Sequence, residues 1–424
     1  MSADTPLAAP AVTGGGGPPK HIGRLLIVLA ALSAVAPLAT DMYVPGFPAL
    51  ARSLETTGPS VQLSMTAFLV GLAAGQLLLG PVSDAVGRRR VLLSGAALFT
   101  VLSLVCAVAP DINVLNAARL LQGVAGAAGM VVARAVLTDR FHGTPEAPRH
   151  FATLSAIVSV APVVAPVLGG AILGVASWRV VFAVLAVFGV LLFVGVMAWV
   201  PESLPAAARR SGGVRSTSQA IAGLLGRRAL VGYILASSLS GAGLFTYIAG
   251  STFVFQDVYG LSPTQYSFVF AVNALGLLGG SLCFGRLAAR VRVNTLFTAG
   301  LVTALAATAV LVVLLATTGG GFATTWICLL LTVTGLGIVL PATMTVAQFL
   351  GHDAPGATSG LLGGVQFVLG AAASPLAGLF GTSSPMPMAA IMLVSFALSI
   401  LALVVLARPW QGHGEPIRTA VAEA

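Results

Sequence analysis

Long, uniformly apolar stretches separated by short polar ones run along most of the chain. A helix crosses a bilayer with about 20 apolar residues, so each long stretch is a candidate transmembrane helix. Strands of a membrane barrel would instead alternate apolar and polar residues. The pattern therefore predicts an all-α membrane protein with twelve transmembrane helices. Their approximate bounds are residues 24–46, 60–83, 91–109, 114–138, 152–175, 179–200, 229–254, 263–285, 294–317, 322–346, 355–379 and 386–407.

The longest polar stretch inside the apolar region separates the first six predicted helices from the last six. It predicts an N-terminal six-helix half at 21–202, a cytoplasmic linker at 203–228 and a C-terminal six-helix half at 229–409. Residues 1–20, rich in Pro, Gly and Ala, are expected to form a disordered cytoplasmic tail, and residues 410–424 a second cytoplasmic tail. Transporters of this layout bind substrate between the halves, near the middle of the membrane.

Composition and charge placement support a membrane protein. The chain has 424 residues, of which 57% are hydrophobic and 8% are charged, whereas a soluble domain carries about 25% charged residues. With the N-terminus inside, all of the 21 Lys and Arg residues except Arg52, Arg119 and Arg179 fall on or near the cytoplasmic side. This is the positive-inside pattern. It predicts a protein of the plasma (inner) membrane with both termini in the cytoplasm. The net charge of +9 is then explained by the arginines of the cytoplasmic loops, so we expect a lipid bilayer and no nucleic acid as partner.

Signs of catalysis or metal binding are missing from the sequence. Cys106, Cys283 and Cys328 lie far apart in apolar stretches, and the five histidines fall in predicted tails and loops. No metalloprotease, nucleophile-elbow or phosphate-loop motif occurs. We therefore expect no enzyme activity, no metal and no cofactor, and a polytopic membrane enzyme or sensor is the weakest of the possible readings.

The loop after the second predicted helix carries the most specific motif, Gly-Pro-Val-Ser-Asp-Ala-Val-Gly-Arg-Arg-Arg from Gly80. It resembles the G-x-x-x-D-x-x-G-R-[RK] signature of the major facilitator superfamily. An acid at a helix C-terminus opposes the helix dipole, so Asp84 needs a partner, either Arg88 or the start of the eleventh helix. We predict that Gly80, Asp84, Gly87 and Arg88 form a conformational latch; a solvated topology signal is the alternative.

Further motifs extend the resemblance through the first half. The Thr-Asp-Met-Tyr-Val-Pro run at 40–45 resembles the bicyclomycin/chloramphenicol-resistance branch of the drug:proton antiporters. Arg119 begins an R-x-x-Q-G motif in the fourth helix. Pro166, Gly169 and Gly170 match part of the exporters' fifth-helix packing motif, although alanines replace its two earlier glycines. The resemblance implies a twelve-helix major facilitator fold.

Asp41 and Arg119 are predicted to lie at similar depth in the membrane, and we assign proton coupling to this pair. The alternatives are that Asp41 already lies in the outer loop and that Arg119 extends to the outer surface. Polar or aromatic residues in otherwise aliphatic helices, together with neighbours in the motifs, are the substrate-binding candidates: Met42, Tyr43, Gln122, Phe245, Tyr247 and Gln366.

These observations predict a monomeric, proton-coupled efflux transporter that exports small amphipathic drugs or metabolites across the plasma membrane by alternating access. Its expected partners are a small-molecule substrate and protons. A proton-coupled importer of a small polar metabolite, built on the same fold, is the alternative.

Overall fold

The computed structural model describes residues 22–141, 144–209, 213–381 and 383–415, and these ranges contain helices, turns and loops but no strand. Within them, eleven helices are long and apolar enough to cross a membrane, and a bent pair supplies the twelfth span. The predicted all-α, twelve-helix fold is confirmed. The predicted tail at 1–20 and the final residues, 416–424, lie outside the described ranges.

The spanning helices are α1 (Ile22–Ser33 followed by Val35–Ser53), α2 (Gly58–Val86), α3 (Arg88–Ala107), α4 (Ile112–Phe141), α5 (Ala147–Leu173), α6 (Trp178–Trp199), α7 (Arg228–Phe253), α8 (Pro263–Leu287), α9 (Val293–Thr318), α10 (Phe322–Leu350), α11 (Pro355–Ala373) and α12 (Met386–Ala402). Short helical turns at Val254–Val258, Leu376–Leu379 and Leu403–Ala407 extend α7, α11 and α12. We call α1–α6 the first half and α7–α12 the second half; the predicted domain boundaries remain predictions.

Helix α1 is broken near its middle, with a bend of 42° between its two parts. The first part ends at Ser33 and the second begins at Val35. Pro37 explains the break, because proline has no N–H to donate and its ring clashes with the carbonyl four residues earlier, here that of Ser33. The α-helix resumes only as far as Asp41, and a 3-10 turn and another short helix then carry the span to Ser53. Asp41 therefore lies at a helix end rather than in a loop.

Glycines allow α2 and α4 to pack with their backbones in close contact. A Cβ atom on Gly71 would lie 2.0 Å from the carbonyl oxygen of Leu120, and one on Gly123 would lie 2.1 Å from that of Phe68. Helices in lipid are held together by such packing rather than by the hydrophobic effect. Small residues in α2 and α4 thus determine how closely these two helices of the first half pack.

The linker contains a helix that we did not predict, Gly213–Leu225, called the linker helix below. It contacts α2 of the first half and both α7 and α11 of the second. Its Leu224 is 1% exposed and packs in a small apolar cluster with Leu230 and Leu361. The linker therefore lies against both halves at one end of the bundle.

That end of the bundle, the basic end, carries the arginines of the α2–α3 loop and those at the starts of α7 and α9. Each ion pair between described residues at this end stays on one side of the boundary between the halves. In the second half, the Arg227 guanidinium donates to both carboxylate oxygens of Asp353, at 2.7 and 2.6 Å. These hydrogen bonds hold the pKa of Asp353 below its usual value. The pair therefore stays charged through the physiological range and weakens only as pH falls through that lowered pKa.

Hydrogen bonds join the two halves at the opposite end, the far end. The amide of Gln62 in α2 donates to the carbonyl of Ala249 at 3.2 Å and accepts from the backbone N–H of Gly378 at 3.1 Å. Gln256 donates to the carbonyl of Pro45 at 2.8 Å. Two threonines complete the set: Thr66 donates to Ala371 and Thr264 to Gly170, each at 3.0 Å. These bonds hold the halves together at the far end.

Candidate functional site

A cavity of about 180 Å³ lies between the two halves. Its wall comes from α1, α2, α4 and α5 on one side and α7, α8, α10 and α11 on the other, and most of it is aliphatic or aromatic. The break in α1 contributes Pro37, Thr40 and Asp41. A mostly apolar pocket with a few polar groups, placed between two helical repeats, is the usual form of a substrate site in a transporter.

Asp41 is the only charged residue among the described residues that line this cavity. It is 5% exposed, and its Oδ1 accepts a hydrogen bond of 2.9 Å from the Thr40 hydroxyl. Within the described ranges, no basic nitrogen forms an ion pair with it at 4.0 Å or less. A buried carboxyl group without a cation must be neutralised by a proton or a ligand, which makes Asp41 the chemically distinctive group of the cavity.

Arg119 lies away from the cavity wall, in a box of aromatic rings inside the first half. Its guanidinium carbon is 4.1 Å from the ring centre of Phe68, 4.8 Å from that of Tyr43 and 5.7 Å from that of Phe182. Its Nη1 donates to Gln122 Oε1 at 2.8 Å. The side chain is fully buried, so the alternative that it reaches the outer surface is wrong. Cation–π contacts and the amide stabilise this charge, which in this conformation is not paired with Asp41.

The predicted substrate-binding residues separate into two groups. Phe245 and Tyr247 line the cavity. The other four are not among the described residues of its wall. Of these, Gln122 is held by Arg119 and by Ser103, and Tyr43 lies against Arg119 with its hydroxyl in contact with Ser64. The Met42 backbone lies against Gly169 of α5, and the Gln366 side chain packs on Gly241. Substrate contact by any of the six remains a prediction.

The fifth-helix motif lies where three helices meet. A Cβ atom on Gly169 would lie 2.0 Å from the carbonyl oxygen of Met42 in α1, and one on Gly170 would lie 2.2 Å from the Ser267 hydroxyl in α8. Pro166 is buried one turn earlier. The two glycines therefore serve different contacts, one within the first half and one between the halves.

The predicted latch residues lie at the basic end, and their contacts stay inside the first half. Arg88 Nη1 lies 2.5 Å from Asp84 Oδ1, and Arg88 Nε lies 3.1 Å from Asp139 Oδ2. Glu202 Oε1 accepts from the Arg88 backbone N–H at 2.9 Å. Of the two partners predicted for Asp84, this conformation uses Arg88. Gly87 makes the turn with a φ of 109°, while Gly80 lies in α2; the latch function itself stays a prediction.

Sequence reasoning missed several cavity residues and the polar groups behind them. Phe270 and Phe367 line the cavity as ordinary apolar residues, and no sequence signal distinguishes them from helix packing. Asn273 does carry a signal, since it is the one amide side chain in the apolar stretch 266–285. It donates to the Tyr247 hydroxyl at 2.8 Å and accepts from Trp326 Nε1 at 3.1 Å.

Solved transporters share this architecture. The nucleoside transporter NupG superposes with a TM-score of 0.72, over 92% of this chain and 98% of that chain, at 13% identity. A bacterial homolog of the human lysosomal transporter Spinster, in an inward-facing and unoccupied conformation, gives a TM-score of 0.69 over 94% of this chain and 98% of that chain, also at 13% identity. At these identities the likeness concerns the fold alone.

Curated relatives resemble the chain in sequence as well. The uncharacterized MFS-type transporter YdgK of Bacillus subtilis is 40% identical over 89% of this chain and 94% of its own length. A bicyclomycin resistance protein homolog of Haemophilus influenzae is 29% identical over 64% of this chain and 68% of its own length. The multidrug resistance protein MdtL of Escherichia coli O157:H7 is 29% identical over 60% of this chain and 63% of its own length.

These relatives match the drug:proton antiporter branch whose motif occurs at residues 40–45. The family model of the Major Facilitator Superfamily matches residues 29–375, which include α1 after its first seven residues and all of α2–α11. Together with the twelve-helix fold and the cavity between its halves, this match shows that the chain is a multi-pass membrane transporter of the Major Facilitator Superfamily.

Proposed function

We propose that this transporter is a monomeric, proton-coupled exporter of small amphipathic drugs or metabolites that works by alternating access. We place it in the plasma (inner) membrane with its basic end and both termini in the cytoplasm, as the positive-inside rule requires. The observation that supports the proposal is the position of Asp41, the single acid among the described residues of the mostly apolar cavity wall between the halves.

Coupling follows from the chemistry of that acid. In the apolar cavity a carboxylate must be neutralised by a proton or by a ligand with positive charge or hydrogen-bond donors. A substrate bound beside Asp41 therefore competes with the proton, and this competition exchanges one for the other. Arg119 is fixed by its aromatic box. We propose that rearrangement of the first half changes the separation of the two charges during the cycle.

The direction of transport is proposed on two grounds. Two relatives at 29% identity are named for bicyclomycin and multidrug resistance. The fifth-helix motif of exporters is retained in part, at Pro166, Gly169 and Gly170. Export also requires the far-end hydrogen bonds of Gln62 and Gln256 to break, so that the cavity opens away from the basic end. Asp84 and Arg88 then close the basic end as the proposed latch.

The decisive variant is Asp41→Asn, which removes the ionisable group while keeping a similar shape. In inside-out vesicles with an acidified lumen, the wild-type protein should accumulate drug, and the variant should lose this proton-driven accumulation while retaining downhill movement. Purified wild-type protein should release protons when substrate is added, and the variant should not. Asp111→Asn, which changes an exposed acid in the α3–α4 turn outside the described cavity wall, serves as the matched control.

Two results would contradict the proposal. Proton release by the Asp41→Asn protein equal to that of the parent would place the proton carrier elsewhere. Proton-driven uptake into right-side-out vesicles, without accumulation in inverted ones, would favour the importer.

A further inference from the structure

A chain of hydrogen bonds runs from α10 through α8 to the cavity wall on α7. The indole Nε1–H of Trp326 donates to Asn273 Oδ1 at 3.1 Å, and Asn273 Nδ2–H donates to the Tyr247 hydroxyl oxygen at 2.8 Å. Asn273 is 1% exposed and Tyr247 is 2% exposed. Tyr247 lines the cavity and stacks on Phe270, with ring centres 5.6 Å apart and planes inclined by 15°. Its ring is therefore held in place by the stack and its hydroxyl by the amide.

The direction of every hydrogen bond in this chain follows from its first member. An indole N–H donates and never accepts, so the Asn273 side chain must present its oxygen to Trp326 and its NH₂ group to Tyr247. The tyrosine oxygen then accepts, and the hydroxyl hydrogen is not used in the chain. Among the described residues, no acceptor is bonded to that hydrogen. The second half thus presents a hydrogen-bond donor at a cavity wall whose other side carries an acid.

We propose that Asn273 and Trp326 are positioning residues that make the Tyr247 hydroxyl a fixed donor, and that the transporter selects substrates carrying a hydrogen-bond acceptor oxygen, such as a carbonyl or nitro group, beside an apolar body. The inference rests on the proposed function of the cavity. A binding site built around a fixed donor loses affinity for ligands that leave the donor unpaired. The aromatic and aliphatic wall contributes contact that does not depend on such an oxygen.

Two probes separate these contributions. Chloramphenicol is an amphipathic molecule with amide, hydroxyl and nitro oxygens, and tetraphenylphosphonium is an apolar cation without an acceptor atom. Equilibrium binding of each is measured for the purified wild-type protein, Tyr247→Phe, Asn273→Leu and Trp326→Phe. The control is Tyr259→Phe, which removes a hydroxyl of the same half that is bonded to Thr325 instead.

We expect chloramphenicol binding to weaken about 2- to 10-fold in Tyr247→Phe and in Asn273→Leu, as for the loss of one hydrogen bond. Trp326→Phe should have a smaller effect in the same direction, because without the indole N–H the Asn273 amide can rotate and exchange the positions of its oxygen and its NH₂ group. Tetraphenylphosphonium leaves the donor unpaired, so its binding should stay the same or tighten slightly in these variants, and Tyr259→Phe should change the binding of neither probe. A general loss of structure would weaken both probes alike, so the difference between the probes isolates the donor.

Ultraviolet resonance Raman spectra test the orientation of the hydroxyl without any substrate, because the tyrosine doublet differs between donating and accepting phenols. The spectrum of the wild-type protein minus that of Tyr247→Phe should show an accepting hydroxyl. The same difference taken in the Asn273→Leu background should lose that signature.

The inference would be overturned if the variants bound both probes equally more weakly, or if they bound neither more weakly. It would also be overturned if the wild-type protein bound tetraphenylphosphonium but not chloramphenicol. A Raman difference that shows a donating Tyr247 in the probe-free wild-type protein would overturn it as well. A wild-type protein that binds neither probe would contradict the proposed drug transport, and the Raman result would then decide the hydroxyl orientation separately.

Discussion

At the scale of single residues, the polar groups buried in this protein are stabilised in different ways. Arg119 is surrounded by aromatic rings and an amide, Tyr247 accepts from Asn273, and Asp41 accepts only from the neighbouring Thr40 among the described residues. A buried polar group is costly unless it is paired. Asp41 is an acid at the cavity whose one hydrogen bond comes from its chain neighbour, so it is the group best suited to bind a proton or ligand that enters and leaves.

Gly87 gives a residue-scale test of the loop between α2 and α3. Its φ of 109° is unfavourable for residues with a Cβ atom, and an added Cβ would lie 2.5 Å from Glu202 Oε2. Gly87→Ala should therefore destabilise the protein by about 1–3 kcal/mol and loosen the cap that Glu202 provides for α3. Thermal unfolding in detergent measures this change.

Gly285→Ala is the matched control for that substitution. Gly285 is exposed and helical, and a Cβ there meets no atom within 4 Å. Its melting temperature should stay the same or rise slightly, since alanine favours helices. Equal stability of the two variants would show that the turn at Gly87 does not need glycine.

At the scale of helices, proline and glycine determine where the bundle departs from straight packing. Pro37 breaks α1 so that Asp41 ends a short helical segment at the cavity. Gly170 lets α5 approach Ser267 of α8, and the Thr264 hydroxyl bonds the Gly170 carbonyl there. The same helices that form the cavity wall therefore also form the contacts that hold the halves together at the far end.

Gln62 tests the far-end contacts directly. Its amide makes two hydrogen bonds to the second half, to Ala249 and Gly378. Gln62→Ala removes both, which at about 0.5–1.5 kcal/mol each should shift the balance toward a far end that is open by several-fold or more. Spin labels on cysteines at Ser53 and Ser383, in a background without the native cysteines, should show a larger population at long distance.

The control for this experiment is Gln348→Ala. Gln348 bonds Ser359 and Pro355, so its contacts stay within the second half. Its distance distribution should match that of the parent. If Gln62→Ala also left the distribution unchanged, the far-end bonds would not contribute to closure.

At the scale of the whole molecule, two six-helix halves enclose a cavity and differ at their two ends. Hydrogen bonds of Gln62, Gln256 and Thr264 join the halves at the far end. At the basic end, the Arg88–Asp84 ion pair lies within the first half and the Arg227–Asp353 ion pair within the second. The linker helix lies against both halves. Alternating access requires the far-end contacts to break and contacts at the basic end to form.

The orientation of the molecule predicts which loops can be labelled from outside the cell. Val175, in the α5–α6 turn at the far end, is 90% exposed, and His352 is exposed in the α10–α11 loop at the basic end. In whole cells, a membrane-impermeant maleimide should label Val175→Cys, whereas His352→Cys should react only after permeabilisation. Labelling of His352→Cys in intact cells would reverse the proposed topology.

The sequence by itself determined the class of the protein, its twelve helices and its family. These follow from local properties, since a long apolar stretch must be helical in lipid and the motifs at residues 40–45 and 80–90 are contiguous. It also marked Asp41, Arg119 and Tyr247, because polar or charged side chains inside apolar helices are conspicuous wherever the helix is placed.

Only the tertiary structure decided which of these residues meet. Asp41 and Arg119 have similar predicted depths, but the packing of α1, α2 and α6 surrounds Arg119 with aromatic rings and leaves Asp41 at the cavity. Helix rotation and contacts between distant segments determine such pairings, and neither can be read from spacing along one chain. For the same physical reason the sequence showed Asn273 as a lone amide, while only the fold revealed that it links Trp326 to Tyr247.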